Sequence, residues 1–276
     1  MTQQVSTITL GVSDITEAKR FYVEGLGCPV LNDAGEFVAL GLGEGSSTLA
    51  LYRREALAED AGVSADGDGF PGLMLSYIVE TADDVDAVIA GAVRAGAKVA
   101  KPAKRAVWGG YTGHFTDPDG FLWKVSSNNG PALLRRRTAP PADEAVTMRA
   151  KETAVTLGAQ DVKQTQQFYA EGLGFPVNKA YGKFVSFTSD GASSFLSLYR
   201  WDALADDGAL SPDTRGFRGF TLSRVVASAD EVDAALAEAA RSGGTVSKPA
   251  AEAAWGGYSG YFTDPDGVLW KVAARG

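Results

Sequence analysis

The residues with the widest chemical reach lie in one stretch that occurs twice. It reads WGGYTGHFTDPDGFLWKV from Trp108 and WGGYSGYFTDPDGVLWKV from Trp255. Each copy offers an aromatic pair around Gly-Gly (Trp108 and Tyr111, or Trp255 and Tyr258), two carboxylates and a lysine, Lys124 or Lys271. The first copy also holds the chain's one histidine, His114, which is Tyr261 in the second. Rings beside glycines can stack on a planar ligand from a flexible rim, or plug a core next to a turn. The lysine can lay its stem on a wall with its ammonium in water, anchor a carboxylate, or act as a Schiff-base nucleophile. No base to activate it is identifiable nearby in sequence. The carboxylates belong to Asp-Pro-Asp-Gly, with Asp first, Pro second and Gly fourth, and a type I turn in a hairpin accounts for all four residues. His114 lies just before that turn, and a structural or solvent-exposed role is expected for it rather than metal ligation. A catalytic metal needs three or more converging side-chain donors, commonly including histidine.

The duplication extends well beyond this stretch. A constant offset of 147 residues links Asp14 to Asp161, Phe21 to Phe168, Tyr52 to Tyr199 and Asp117 to Asp264, with no insertion. Two halves so related must share a fold. Between them, GPALLRRRTAPPADEAVTMRAK breaks all periodicity with prolines, the Arg135–Arg137 run and then acids, and it reads as a solvated linker. The expected division is therefore residues 1–130, a linker at 131–150, and residues 151–276. A chain of 276 residues is long enough for two such domains.

Each half repeats one plan twice. VSTITLGV alternates as a strand, and Asp14 with Glu17 then forms a capping box for a helix whose apolar positions are Ile15, Ala18, Phe21, Tyr22 and Leu26. Gly25 and Gly27 stop it, and strands follow at CPVLN, EFVALGL and STLALYR. A second unit begins with the strand LMLSYIV and a helix buried along Val85, Val88, Ile89, Ala92 and Val93 and stopped at Gly96. Strands at AKVAKP, YTGHFT and FLWKVS complete it. The chain thus predicts an α+β fold of four βαβββ modules.

These paired modules, the D-x-x-x-A-x-x-F-Y-x-x-x-L-G helix (Asp14 to Gly27) and the closing DPDG hairpin resemble the vicinal oxygen chelate superfamily of glyoxalases, bleomycin-resistance proteins and extradiol dioxygenases. The resemblance covers both halves and omits the linker. The segment LYRREALAEDAG with WGGYTGHFTDPDG is similar to a branch of small glyoxalase-like proteins. The family fold implies two tandem domains with curled mixed sheets forming cups. In its metal-dependent members, four strands present His, Glu, His and Glu on the floor. The matching positions here are Thr7, Ala50, Met74 and Lys124, and in the second half Ala154, Ser197, Thr221 and Lys271. None is a histidine or a carboxylate, and a lysine opposes a cation electrostatically. No metal and no cofactor are expected.

If Lys124 faces the cup, alternation puts Leu122 beside it and Phe121, Trp123 and Val125 on the other face. Thr7, Thr9, Thr48, Ala50, Tyr52, Met74 and Ser76 also face the cup, while Ile8, Leu49, Leu51, Leu73 and Leu75 cover the helices. The ligand-binding set expected is Tyr52, Met74, Trp108, Tyr111 and Lys124, with Tyr199, Thr221, Trp255, Tyr258 and Lys271 in the repeat. The halves differ where Met74 becomes Thr221, Arg54 becomes Trp201 and Glu36 becomes Lys183. The resemblance to the bleomycin-resistance side implies a metal-free protein that binds a small molecule, such as an antibiotic or an aromatic metabolite. The two halves would dock as a pseudo-dimer, and the chain would be a monomer or a weak homodimer. The alternative is a glyoxalase-like lyase or isomerase acting on a small carbonyl compound, which would need the missing ligands. A third reading is a structural or regulatory partner with its cups packed shut. Extradiol dioxygenase chemistry would need histidines that are absent. A net charge of −8 opposes nucleic acid and anionic lipid, and no apolar run approaches the roughly 18 residues of a membrane-spanning helix. With no signal-peptide pattern at Met1 and only Cys28 to oxidise, a cytoplasmic location is expected, with Cys28 packing as a small apolar residue.

Overall fold

Alternating apolar side chains build strands that need a covered face, and amphipathic helices supply the cover. The computed structural model of the protein describes residues 5–43, 45–106, 109–129, 152–188, 194–253 and 256–274. The first module comprises β1 (Thr7–Val12), α1 (Ile15–Arg20), β2 (Val30–Asp33), β3 (Phe37–Gly41) and β4 (Thr48–Arg53). A short helix, α2 (Arg54–Ala61), and a brief strand, β5 (Gly67–Gly69), lead on to the second module. That module has β6 (Leu73–Val79), α3 (Ala82–Arg94), β7 (Lys98–Arg105), β8 (Tyr111–Thr116) and β9 (Leu122–Ser127). The second half repeats this with β10 (Glu152–Ala159), α4 (Val162–Gln167), β11 (Val177–Tyr181), β12 (Phe184–Phe187), β13 (Ser194–Arg200), α5 (Trp201–Asp207) and β14 (Thr214–Gly216). It ends with β15 (Phe220–Val226), α6 (Ala229–Arg241), β16 (Thr245–Glu252), β17 (Tyr258–Thr263) and β18 (Leu269–Ala274). All four βαβββ modules are present, and α2 and α5 are additions to the expected plan.

Local chemistry explains the helix ends. Asp14 accepts the backbone N–H of Glu17 at 2.9 Å and caps α1. The reciprocal half of the expected capping box is replaced, because the Glu17 carboxylate pairs with Arg20 at 2.6 Å. The full box occurs at α3, where Thr81 and Asp84 satisfy each other's backbone N–H. After α1 the chain widens into one π-type turn over Phe21–Gly25, which keeps Phe21 and Tyr22 on the buried face. The linker at 131–150 lies outside the described residues.

The strands form two eight-stranded mixed sheets, in the orders β16-β17-β18-β15-β1-β4-β3-β2 and β11-β12-β13-β10-β6-β9-β8-β7. Each sheet therefore takes one module from each half. β1 runs antiparallel to β15, with Thr9 opposite Thr221, and β6 runs antiparallel to β10, with Met74 opposite Thr156. The modules of one half do not share a sheet, which corrects the expectation of cups closed within a half. Instead they share the core behind the sheets. Tyr22 of the first module donates to Asp117 of the second and packs 5.8 Å from the Trp123 ring. Trp123 stacks on Phe115 at an interplanar angle of 5°, and Trp270 on Phe262 at 1°. β5 pairs with β14 where the two halves cross, and Arg215 holds Asp68 there through two hydrogen bonds. Cys28 is buried in the core, and burial pushes its thiol up to about 12. Among the described residues, no helix is long and apolar enough to cross a membrane.

Candidate functional site

The expected sorting of faces holds at every core position named. Ile8, Leu49, Leu51, Leu73, Leu75, Trp123 and Val125 are all buried in the helix-side core. The opposite face of the first sheet carries Thr9, Tyr52, Thr221, Tyr261, Lys248 and Lys271, and these line a cavity of about 750 Å³. Its lid is α2. The segment Arg54 to Ala61 is rich in helix formers, buries Leu57, Ala58 and Ala61, and is ended by Gly62 in the left-handed region at φ 71°. This helix turns Leu57 and Asp60 into the cavity.

Asp60 is the hub of the site. Lys271 Nζ lies 2.9 Å from its carboxylate, the Tyr261 hydroxyl donates to the same oxygen, and Lys248 Nζ donates to its backbone carbonyl at 2.6 Å. Lys271 also sits 5.1 Å from the centre of the Tyr261 ring, a cation–π contact. Burial alone would raise the Asp60 carboxyl, but the hydrogen bonds from Tyr261 and Lys271 and the charges of Lys271 and Lys248 reverse this, so it titrates below its ordinary value. Burial first, and then the charge of Asp60, push the Tyr261 phenol far up, so it serves as a neutral donor. Tyr52 is raised by the same two causes in the same order. The floor is thus a cluster of one acid, two lysines and one neutral phenol, with a cation in excess, beneath the walls formed by Phe37, Tyr52 and Leu57.

The second sheet forms the matching cup with different contents. Met74, Leu122, Phe70, Trp201 and Leu204 make an apolar cluster, with Tyr199 packed against it. Trp201 stands where the first cup has Arg54. Its indole N–H donates to the Pro212 carbonyl at 2.7 Å, and the Arg218 guanidinium lies 4.6 Å over its ring. The ring presses so closely on β10 that a Cβ at Gly158 would lie 2.7 Å from it, which explains the glycine.

The expected binding residues are thus distributed over both cups. Tyr52, Thr221 and Lys271 meet at the first cavity, and Met74, Lys124 and Tyr199 belong to the second cup. Tyr111 does not reach a cup. Alternation turns it to the helix side, where it is buried, with its hydroxyl 3.1 Å from both Asp86 and the Ala103 carbonyl. Tyr258 takes the equivalent place, 3.1 Å from Asp233. Trp108 and Trp255 lie outside the described residues. His114, expected to be structural or exposed, is buried and stands opposite Lys124 on the cup face. Sequence reasoning missed Asp60, Tyr261 and Lys248. The signal was available: Asp60 with Asp207 and Lys101 with Lys248 both match at the 147-residue offset.

The family positions for metal ligands recombine with the sheets. Thr7 and Ala50 stand with Thr221 and Lys271, and Ala154 and Ser197 with Met74 and Lys124. Neither set offers the oxygen and nitrogen donors that a catalytic divalent ion takes, and an ammonium stands in each. Among the described residues, no three or more His, Cys, Asp or Glu side chains are grouped closely enough to hold a metal. The residues present do not fit the ion.

The family model for the glyoxalase/bleomycin resistance protein/dioxygenase superfamily matches residues 4–125 and again 153–272. The chain belongs to this superfamily. Similar proteins include the uncharacterized protein YraH of Bacillus subtilis, 32% identical over 124 residues, which cover 43% of this chain and 93% of YraH. A glyoxalase-related enzyme from Fulvimarina pelagi is 32% identical, with 46% of this chain and 88% of that one covered and a TM-score of 0.42. The V278E mutant of glyoxalase I from Zea mays is 16% identical, but it matches 98% of this chain and 92% of its own at a TM-score of 0.65. This last likeness shows that the fold is shared over nearly the whole chain.

Proposed function

We propose that this member of the superfamily binds a small organic ligand without a metal ion, in the first cavity, with the two halves standing in for the subunits of a dimer. The observation that carries the reading is Lys271 paired with Asp60 at a family metal-ligand position, beneath a cavity of about 750 Å³. That volume lies within the range of pockets for drug-sized molecules. Phe37 and Tyr52 at the walls suit a planar or aromatic body, and Thr9, Thr221, Lys248 and Lys271 offer polar contacts to its substituents. An antibiotic or an aromatic metabolite fits this description.

The test is calorimetric titration of metal-stripped protein with a panel of planar antibiotics, aromatic metabolites and small carboxylates. Saturable binding is expected, unchanged by added Mg²⁺, Mn²⁺, Ni²⁺ or Zn²⁺ and weakened about tenfold or more in Tyr52→Ala, since a stacked ring contributes about 1 kcal/mol beyond its area. Turnover of a small carbonyl compound that appears only with added divalent metal would overturn this reading in favour of a lyase or isomerase.

A further inference from the structure

The equivalent residues of the two cups differ at one position that changes the state of the lysine. In the first cup the Tyr261 hydroxyl donates to Asp60 and holds it where Lys271 can reach it at 2.9 Å. In the second cup His114 replaces that tyrosine, and an imidazole has no hydroxyl to extend toward the lid helix. Asp207, the counterpart of Asp60, pairs instead with Lys101 at 3.6 Å, beside Asp206 at 3.5 Å. Lys124 is left without a hydrogen bond among the described residues, and Asp207 acts on it only through space.

His114 itself is 6% exposed, and neither ring nitrogen has a hydrogen-bond partner. Buried polar groups are almost always satisfied, so two orphaned nitrogens on one ring mark a place where something else bonds. Burial first, and then the charges of Lys124 and Lys101, lower the imidazole to about 3, so it is neutral and offers one N–H donor. β8 and β9 set His114 directly opposite Lys124, and β7 sets Lys101 opposite His114. Lys101 is already paired with Asp206 and Asp207, which leaves the Lys124 ammonium to disfavour a metal ion there. It favours an anion whose two oxygens can take the lysine and the imidazole N–H together, with an apolar body against the cluster around Met74 and Trp201.

We propose that the second cup is a separate site for a small organic carboxylate, gripped by Lys124 and by a ring N–H of His114. Because this is the chain's one histidine, protein labelled with ¹⁵N-histidine reports on the site without assignment. The probes are benzoate, phenylacetate and acetate, with benzamide as the neutral control. A saturable shift of the imidazole nitrogens with at least one carboxylate, absent with benzamide and abolished in Lys124→Met, is expected. The same shift should persist in Lys271→Met, which disables the first cavity only. His114→Tyr, which rebuilds the hydroxyl that holds the acid in the first cup, is expected to draw Asp207 onto Lys124 and to weaken calorimetric binding of the same carboxylate at least tenfold while the chain stays folded. No shift with any of the three carboxylates, or an equal shift with benzamide, overturns the proposal. Loss of the shift in Lys271→Met with retention in Lys124→Met would also overturn it, by placing the anion in the first cavity.

Discussion

A chain of residues 1–130 expressed alone is expected to be a dimer. In that fragment β1 loses β15 and β6 loses β10, so two strands from the middle of the eight-stranded sheets become open edges. Edges of this kind, backed by the apolar helix-side face of Ile8, Leu10, Leu73 and Leu75, seek another strand. The repeat makes β6 the counterpart of β15, so β1 of one copy can pair with β6 of a second, and the same pairing recurs by two-fold symmetry. Each resulting cup would combine Thr9, Ala50 and Tyr52 with Met74 and Lys124 of the other copy. The match to YraH spans 124 residues, 43% of this chain and 93% of YraH, so a relative of about half this length exists. Sedimentation equilibrium on the fragment reads the outcome, and a folded monomer would sink the argument. Should the fragment not fold, co-expressed 1–130 and 151–276 are expected to copurify as one complex, and halves that fold but separate would sink it equally.

The sequence made the modules legible but not the partner of each module. Strict alternation in TITLGV and LMLSYIV told which side chains face the cup, and that reading survives at every buried leucine. Alternation says nothing about which of two equivalent strands lies alongside β1, because β6 and β15 present the same pattern. The site was therefore read as Tyr52 with Met74 and Lys124, where the structure brings Tyr52 to Thr221 and Lys271. Tyr111 was misplaced for a different reason. A ring next to Gly-Gly suggests a rim, yet the strand begins at Tyr111, and its parity with Phe115 commits it to the helix side. α2 went unrecognised because eight residues carry too little periodicity, and with it went Asp60, the residue that organises the first cavity.

The turn carboxylates, read from sequence as structural, are expected to govern how stability depends on pH. Asp117 is buried, accepts the Tyr22 hydroxyl and the Phe121 N–H at 2.8 Å, and so ties the helix of one module to the hairpin of the next. Asp264 does the same with Tyr169 at 2.7 Å and Val268 at 2.8 Å. Burial dominates both environments and pushes Asp117 up to about 7 and Asp264 up to about 6, against opposing hydrogen bonds from the tyrosines. Each folded value lies above the ordinary 3.8, so the folded chain holds a proton that the unfolded chain releases. The stability this provides is complete below about pH 4 and is lost as pH rises through about 6 to 7, by at most about 4 kcal/mol for Asp117 and about 3 kcal/mol for Asp264. His114 acts in the opposite sense: its value of about 3 means that the unfolded chain alone gains a proton as pH falls below about 6.5, so stability drops on the acid side. Asp117→Asn keeps the acceptor for the Phe121 N–H, places an amide N–H donor beside the Tyr22 oxygen as the protonated carboxyl does, and cannot ionise. Urea unfolding of this variant is expected to show a smaller decline in stability than the parent between about pH 5 and about pH 8, with the His114 contribution common to both. Asp117→Ala removes the acceptor altogether and is expected to cost about 2 to 4 kcal/mol below about pH 5, since it strands a buried hydroxyl and a backbone N–H, and less as pH rises and the parent loses its own carboxyl contribution. Parallel pH curves for the parent and Asp117→Asn would mean that the carboxyl is already ionised in the folded protein, and the module junction would then have to be held by an anion rather than by a shared proton.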